Sequence, residues 1–373
     1  MEGKRLIEKI RLRNILSFGD KGEEIELQPL NIIIGQNASG KSNLVDVLKL
    51  LRSLPQDKGL ATFISKNGGV NEWFWKGRHT DNYAEIKIYY KGKPLQISYK
   101  IQITEDPFDS RVSIFNETVI SEKTGKILIE RDTLNEESFL GFSYRQQKDE
   151  LVFPRFELRH FFNALVTYTD LQTNRASEIR RPQIPDAPND FLEESGSNLA
   201  LVLNDLEHRG NEKDKIVENL KKFNPQIKDY SVRILGGTVQ LFIREEGLEK
   251  PISAMRLSDG TLRYLCLLAI LCHPEPPPLI CIEEPETGLH PDILPTIAEL
   301  MKEASQRTQL IVTTHSDILV SAFSDMPEAV LVCEKDEDGT HFERLEAERL
   351  KVWLEEYTLG EAWLRGAIGG TRW

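Results

Sequence analysis

The apolar positions divide the chain into three stretches. Near the N-terminus, Leu6 to Ile15 mixes apolar and basic residues and Glu24 to Leu27 alternates. Leu30 to Ile34 is a short, largely β-branched apolar run, the pattern of a strand buried on both faces. Gly35 to Gly40 predicts a loop. From Lys41, Leu44, Val45, Leu48 and Leu51 recur at helical spacing, and Val47 and Leu50 widen that face. The order is strand, glycine-bearing loop, helix. Between about Tyr83 and Phe153 the period falls to two: AEIKIYY, LQISYKIQI, VSIF and KILIE are separated by Gly, Pro and Asp turns. This predicts an antiparallel β-subdomain inserted after the first helix. From Phe156 to Phe223 the pattern is helical, broken by a proline-bearing loop from Arg180 to Asp190. Tyr230 to Arg244 predicts a hairpin turning at Gly236-Gly237. The last third returns to α/β: a helix from about Thr261, a strand Leu279 to Ile282, a helix from about Ile293 and a strand Gln309 to Thr314. Ala329 to Cys333 and a partner after Asp338-Gly339 complete it. No repeat is visible, and no heptad seam is long enough for an extended coiled coil.

These patterns predict an N-terminal head portion (1–80), an inserted β-rich subdomain (81–155), a helical lobe ending in a hairpin (156–250), a C-terminal head portion (251–345) and a tail (346–373). The 373 residues, 40% hydrophobic and 28% charged, suit a soluble globular protein rather than a disordered or collagen-like one. Net charge is −12 with no long Lys/Arg block, which leaves nucleic acid to a local basic face. The four cysteines lie in apolar runs with no C-x-x-C pair, so buried free thiols in a reducing cytosol are expected. MEGKRLIEKI lacks the apolar core of a signal peptide. The most apolar run, Leu262 to Cys272, carries Arg263 and is too short to span a bilayer. A cytoplasmic protein with no membrane partner is expected.

The sharpest chemical signal is Gly35-Gln36-Asn37-Ala38-Ser39-Gly40-Lys41-Ser42, a G-x-x-x-x-G-K-[ST] P-loop set between strand and helix. Glycines let the backbone wrap a phosphate, the inward amides form an anion nest, and the helix N-terminus adds positive potential. The expected nucleotide-binding set is Gly35, Asn37, Ala38, Ser39, Gly40, Lys41, Ser42 and Asn43. Lys41 reaches the β- and γ-phosphates and the Ser42 hydroxyl ligates Mg²⁺. At the end of the apolar run 279–282 stand Glu283, expected on the metal side, and Glu284, expected to polarise the attacking water. Ser258 and Gly260 of Leu257-Ser258-Asp259-Gly260-Thr261 precede an apolar helix. There Ser258 is a good N-cap and Gly260 permits close approach of a ligand oxygen. His315, after the strand ending in Thr313-Thr314, is well placed to sense a γ-phosphate.

The order P-loop, LSDGT, IEEPETGLHP, TTHS resembles the ATPase heads of the ABC/SMC/RecF class, and within it the stand-alone bacterial RecF-like or OLD-like AAA-type ATPases. The opening IEKIRLRNILSF is similar to their first strand. The middle is similar only loosely, through the RRP and GSNLALVLNDL segments. The resemblance implies a P-loop NTPase of the ABC-ATPase head type, α/β, with the inserted β-subdomain and helical lobe. It places Lys41 and Ser42 in the Walker A motif and Glu283 and Glu284 in Walker B. It makes Ser258 and Gly260 the signature, Glu286 to His290 the D-loop and His315 the switch histidine. Glu283 stands where most of the class has Asp, and LSDGT replaces the commoner LSGGQ. Gln146, Gln147 and Gln172 are all candidates for the Q-loop glutamine.

In this class the signature caps a γ-phosphate bound by the opposite subunit. One P-loop and one signature per chain therefore imply a homodimer with two ATP sandwiched between the heads. The implied function is an ATP-hydrolysing, dimerising switch acting on or near DNA, in repair or anti-phage defence. Alternatives are the ATPase subunit of an ABC-type transporter and an assembly protein that binds ATP without hydrolysing it. Fifty-eight residues follow His315, fewer than a fused Toprim nuclease domain needs. The tail, with Trp363 and Gly369-Gly370-Thr371-Arg372-Trp373, resembles those of ATPases encoded beside a small Toprim-like protein, so such a nuclease partner is expected. The other reading of the tail is packing on its own head.

Overall fold

The computed structural model describes residues 3–78, 80–92, 95–105, 111–132, 134–141, 152–209 and 212–370. The chain runs through β1 (Ile7–Arg13), β2 (Glu23–Glu26), β3 (Leu30–Gly35), α1 (Lys41–Ser53), α2 (Gly59–Lys66) and the single turn α3 (Val70–Trp73). Four strands follow: β4 (Tyr83–Lys91), β5 (Gln96–Glu105), β6 (Val112–Ser121) and β7 (Ile127–Arg131). Next come α4 (Val152–Asn163), β8 (Leu165–Tyr168), α5 (Leu199–Glu207) and α6 (Glu212–Phe223). The hairpin β9 (Ile227–Leu235) and β10 (Thr238–Glu245) is joined by the short β11 (Ile252–Ser253). The last part is α7 (Asp259–Leu271), β12 (Leu279–Glu283), α8 (Leu294–Ala304), β13 (Gln309–Thr313), α9 (Asp317–Ser321), β14 (Val330–Asp336), β15 (Gly339–Arg344), α10 (Ala347–Leu354) and α11 (Leu359–Leu364).

A sheet in the order β15-β14-β3-β13-β12-β8 forms the centre. All its pairs are parallel except β14 with β15. The inner strands β3, β12 and β13 are buried on both faces, so they read as nearly unbroken apolar runs, and alternate residues enter two different cores. Ile33, Cys281 and Ile311 face one core with α1 and the antiparallel strands. Ile32, Ile34, Ile280, Ile282 and Val312 face the other, with α5, α7, α8 and the hairpin. All four cysteines are buried free thiols.

The strand-rich segment is continuous with the N-terminal strands. They form one antiparallel sheet, β2-β1-β4-β5-β6-β7, with Ile10 opposite Ile88, and Leu12 opposite Ile86, itself opposite Ile101. The shared apolar face fixes this register, because a one-residue slip would turn every isoleucine to solvent. Gln309, fully buried, ties the two sheets together. Its Oε1 accepts from Leu6 N at 3.1 Å and Ile7 N at 2.9 Å, and its Nε2 donates to Ile7 O at 2.8 Å and Gln28 O at 3.1 Å.

The structure departs from the sequence pattern at one short element. Leu165–Tyr168, inside the segment expected to be helical, is the edge strand β8, paired in parallel with Leu279–Ile282. Four residues carry too little period to separate strand from helix, and the neighbouring strand decides. The tail through Gly370 packs on its own head. Trp363 is buried, and its Nε1 donates to Gly370 O at 2.6 Å. Thr371, Arg372 and Trp373, like Gln146 and Gln147, lie outside the described residues. The hairpin turns at Gly236-Gly237 as expected, both with positive φ.

Candidate nucleotide-binding site

The parallel register brings three strand ends level. Ile33 lies opposite Thr313, and Thr313 opposite Glu283. The P-loop leaves β3, the two glutamates leave β12, and His315 follows β13 between them. Residues far apart in sequence therefore converge on one edge of the sheet, where open α/β folds bind ligands.

The P-loop is held open by glycine. A side chain on Gly35 would lie 2.2 Å from Cys333 O, and one on Gly40 would lie 2.3 Å from Thr340 Oγ1. Ala38 and Gly40 both adopt positive φ. Gly40 N-caps α1 without a side-chain hydrogen bond, and the first turn carries no acid, which leaves its amides for an anion. Lys41 is 6% exposed, and its Nζ donates to Gly35 O at 2.8 Å and Gln36 O at 2.7 Å. Burial pulls its ammonium below the ordinary lysine value, against the raising pull of Cys333, Glu284 and Glu283. Asn37 and Ala38 are exposed at the loop crest. Asn43 Nδ2 donates to Ser17 Oγ at 2.6 Å, and Thr340 Oγ1 donates to Ser39 O at 2.7 Å, so the loop is braced from β1's end and from β15. Burial pushes the Cys333 thiol behind the loop up to about 11.

Burial raises the Glu283 carboxyl above its usual range, while Ser42 and Lys49 oppose the shift. Glu284 turns away with φ 44° and donates its backbone N–H to Thr313 O at 2.9 Å. Its Oε1 lies 3.6 Å from His315 Nε2. Glu286 sets the histidine, accepting from Thr314 Oγ1 at 2.7 Å and His315 N at 2.8 Å. The D-loop resemblance covered Glu286, but nothing in sequence marked it as the support of His315.

Ser258 and Gly260 stand apart from this cluster. Ser258 Oγ accepts from Thr261 N at 3.0 Å, capping α7. A side chain on Gly260 would lie 3.0 Å from Gly288 O. Leu257 and α7 pack in the core on the sheet face opposite α1. Arg180, the first arginine of the RRP segment and given no role from the sequence, holds this segment, donating to Leu257 O at 2.7 Å and pairing with Asp259. Gln172 lies beyond β8, its backbone N–H donating to Ser195 O at 3.1 Å.

The residues fit a magnesium nucleotide. The glycine cradle has no room for a side chain, and Ser39 Oγ is buried there without a partner among the described residues. Ser42 and Glu283 supply hard oxygen donors side by side. That suits Mg²⁺, which takes one or two carboxylates and completes its shell with phosphates and water. Among the described residues no group of three or more His, Cys, Asp or Glu could hold a metal by itself.

Residues 30–321 match the family model described as "AAA domain, putative AbiEii toxin, Type IV TA system". The chain is 26% identical over 227 residues to the DNA double-strand break repair Rad50 ATPase of Thermoplasma volcanium, a match covering 60% of this chain. It spans about a quarter, 23%, of that relative's length. Two solved structures share the fold. An SMC head bound to the C-winged helix domain of ScpA aligns with TM-score 0.63 and 16% identity, over 92% of this chain and 99% of that one. An SMC head with an extended coiled coil bound to the C-terminal domain of ScpA, derived from Pyrococcus furiosus, aligns with TM-score 0.62 and 16% identity, over 94% and 99%. Among the described residues, no helix is long and apolar enough to cross a membrane.

Proposed function

The chain belongs to the AAA-domain family described as putative AbiEii toxin, Type IV TA system, and from that premise we propose an ATP-driven dimerising switch that hydrolyses ATP between two copies and acts on or beside DNA. The observation that carries this reading is the convergence of Lys41, Ser42, Glu283, Glu284 and His315 at three level strand ends, with Ser258 and Gly260 across the sheet from α1. One head thus offers a nucleotide cradle on one side and a cap on the other. Two heads placed face to face complete two sites.

The P-loop amides and Lys41 bind and orient the β- and γ-phosphates. Lys41 gives up two loop carbonyls to do so, and its buried ammonium is strengthened as a phosphate partner by the low dielectric. Ser42 and Glu283 would hold Mg²⁺, which would supply charge neutralisation at the phosphates. Glu284 accepts the proton of the attacking water, work worth about 10²–10⁴-fold in rate. His315, held by Glu286 and 3.6 Å from Glu284, aligns that carboxylate and meets the γ-phosphate.

Two observations support a DNA-related role. The relative's name is one. The other is a row across the outer face of the antiparallel sheet: Glu24, Arg11, Lys87, Lys100, Thr118, Glu130. The three central cations lie on adjacent strands and pair with no carboxylate among the described residues. Lys87 lies 4.4 Å from the Tyr89 ring. Like charges opposite one another cost stability, and a polyanion offsets that cost. The family's toxin description supports a role in defence, the relative's name one in repair. In either, the ATP cycle controls an effector, such as a small Toprim-like or nuclease protein, in the cytoplasm.

Single-turnover hydrolysis of Mg-ATP, with and without duplex DNA, tests the reading and separates it from a protein that binds ATP only to assemble. Wild type should release phosphate. Lys41→Ala should bind no nucleotide, since removing the buried cation leaves the phosphates uncompensated. Unchanged ATP affinity in Lys41→Ala, or a stable ATP complex of wild type that never turns over, would sink it.

A further inference from the structure

Arg180 lies on the loop between β8 and α5 with its side chain 4% exposed. Burying a guanidinium is costly unless its donors are met, and here they are. Nε donates to Thr173 O at 2.9 Å and Asn174 O at 3.0 Å. Nη1 donates to Ala254 O at 3.2 Å and Leu257 O at 2.7 Å, and Nη2 donates to Asp259 Oδ1. The fork therefore grips the residue before Ser258 and the residue after it. Its other side is anchored in the loop that leaves β8, the neighbour of the strand bearing Glu283.

α7 has supports of its own besides this arrangement. The helix is already capped by Ser258 and anchored by buried Leu262, Leu265 and Leu268. Asp259 is 62% exposed and sits in the first turn, where an acid is favoured without any partner. What the contacts fix is orientation: the peptide planes on both sides of Ser258 are tied to one rigid, planar group. A lysine, with its single flexible ammonium, could not hold both sides at once.

We propose that Arg180 is the positioning residue of the signature, holding Leu257 to Gly260 in the orientation in which Ser258 and Gly260 meet the γ-phosphate bound by a second copy of this chain. This rests on the two-copy reading above. All three guanidinium nitrogens are engaged by Thr173, Asn174, Ala254, Leu257 and Asp259, so the effect of Arg180 falls on the site its signature would cap.

The test uses Arg180→Lys in the full chain. ATP binding to the monomer should stay within about twofold of wild type, while ATP-driven dimerisation and turnover fall about tenfold, the loss expected for charged hydrogen bonds. Mixing in excess Glu284→Gln chain before ATP should restore the single-turnover release of phosphate per Arg180→Lys chain, one round only, since the ATP on the Glu284→Gln side is not hydrolysed. In the mixed dimer the Arg180→Lys chain's own P-loop and Glu284 face an intact signature. Parent-level turnover by Arg180→Lys, or a loss that the Glu284→Gln chain does not restore, overturns the proposal. Asp259→Asn, at an exposed position, gives the same readout if Arg180→Lys folds poorly. Ser258→Arg separates the two claims. If Ser258→Arg dimerises and hydrolyses normally, the two-copy reading fails. If it is dead while Arg180→Lys and Asp259→Asn are normal, only the positioning role fails.

Discussion

His341 on β15 lies between two carboxylates, with Glu23 at 3.2 Å from Nδ1 and Asp336 at 3.1 Å from Nε2. Burial pulls its pKa down, but the hydrogen bonds and charges of Glu23 and Asp336 prevail and raise it. A raised folded value means that the contribution is fully present below the ordinary histidine value near 6.5 and is lost as pH rises through the folded one. Thermal melts from about pH 6 to about pH 9 should therefore show wild type ahead of His341→Gln at the acid end and level with it at the alkaline end. The gap should stay under about 1 kcal/mol, as these are partly exposed pairs. A gap that does not change with pH would contradict the assignment. At this scale legibility followed local chemistry. The tight loop of Gly35 and Gly40 leading into Lys41 and Ser42 was legible because the G-x-x-x-x-G-K-[ST] spacing between strand and helix prescribes that local backbone. Glu286 and Arg180 were not. Their roles come from Thr314, His315, Leu257 and Asp259, contacts that only the folded chain brings close.

Strands and helices were legible wherever the apolar period ran long enough. β3, α1, β12 and β13 fall within a residue or two of the pattern, because a buried parallel strand and an amphipathic helix each write a distinct repeat. β8 was missed for want of length, and the union of β1 and β2 with β4–β7 was hidden because pairing partners leave no local mark. That union has a consequence for the outer sheet face, where Arg11, Lys87 and Lys100 align. Replacing all three by Glu should weaken duplex DNA binding and flatten its salt dependence by about three in the log–log slope, one per lost phosphate contact. ATP turnover without DNA should be unchanged, since none of the three lies at the P-loop edge. Equal DNA affinity and slope for the variant and wild type would remove this face from the account.

The whole molecule places its chemistry by topology. Lys41 comes from the first part of the chain, Glu283, Glu284 and His315 from the last, and only the parallel strand order sets them level. The two cores on opposite sides of the sheet keep α1 and the α7 N-terminus, the proposed cradle and the proposed cap, apart within one chain. The account therefore stands on the heads meeting through ATP. Glu284→Gln tests this most directly: glutamine keeps the size and hydrogen bonding of the side chain but cannot accept the proton from water. Mg-ATP, held by Lys41, Ser42 and Glu283, should bind as before and persist. Light scattering of Glu284→Gln should then show one chain without nucleotide or with ADP, and two chains with ATP and Mg²⁺. A Glu284→Gln protein that stays a single chain with ATP bound, or that hydrolyses ATP at the wild-type rate, would contradict the account.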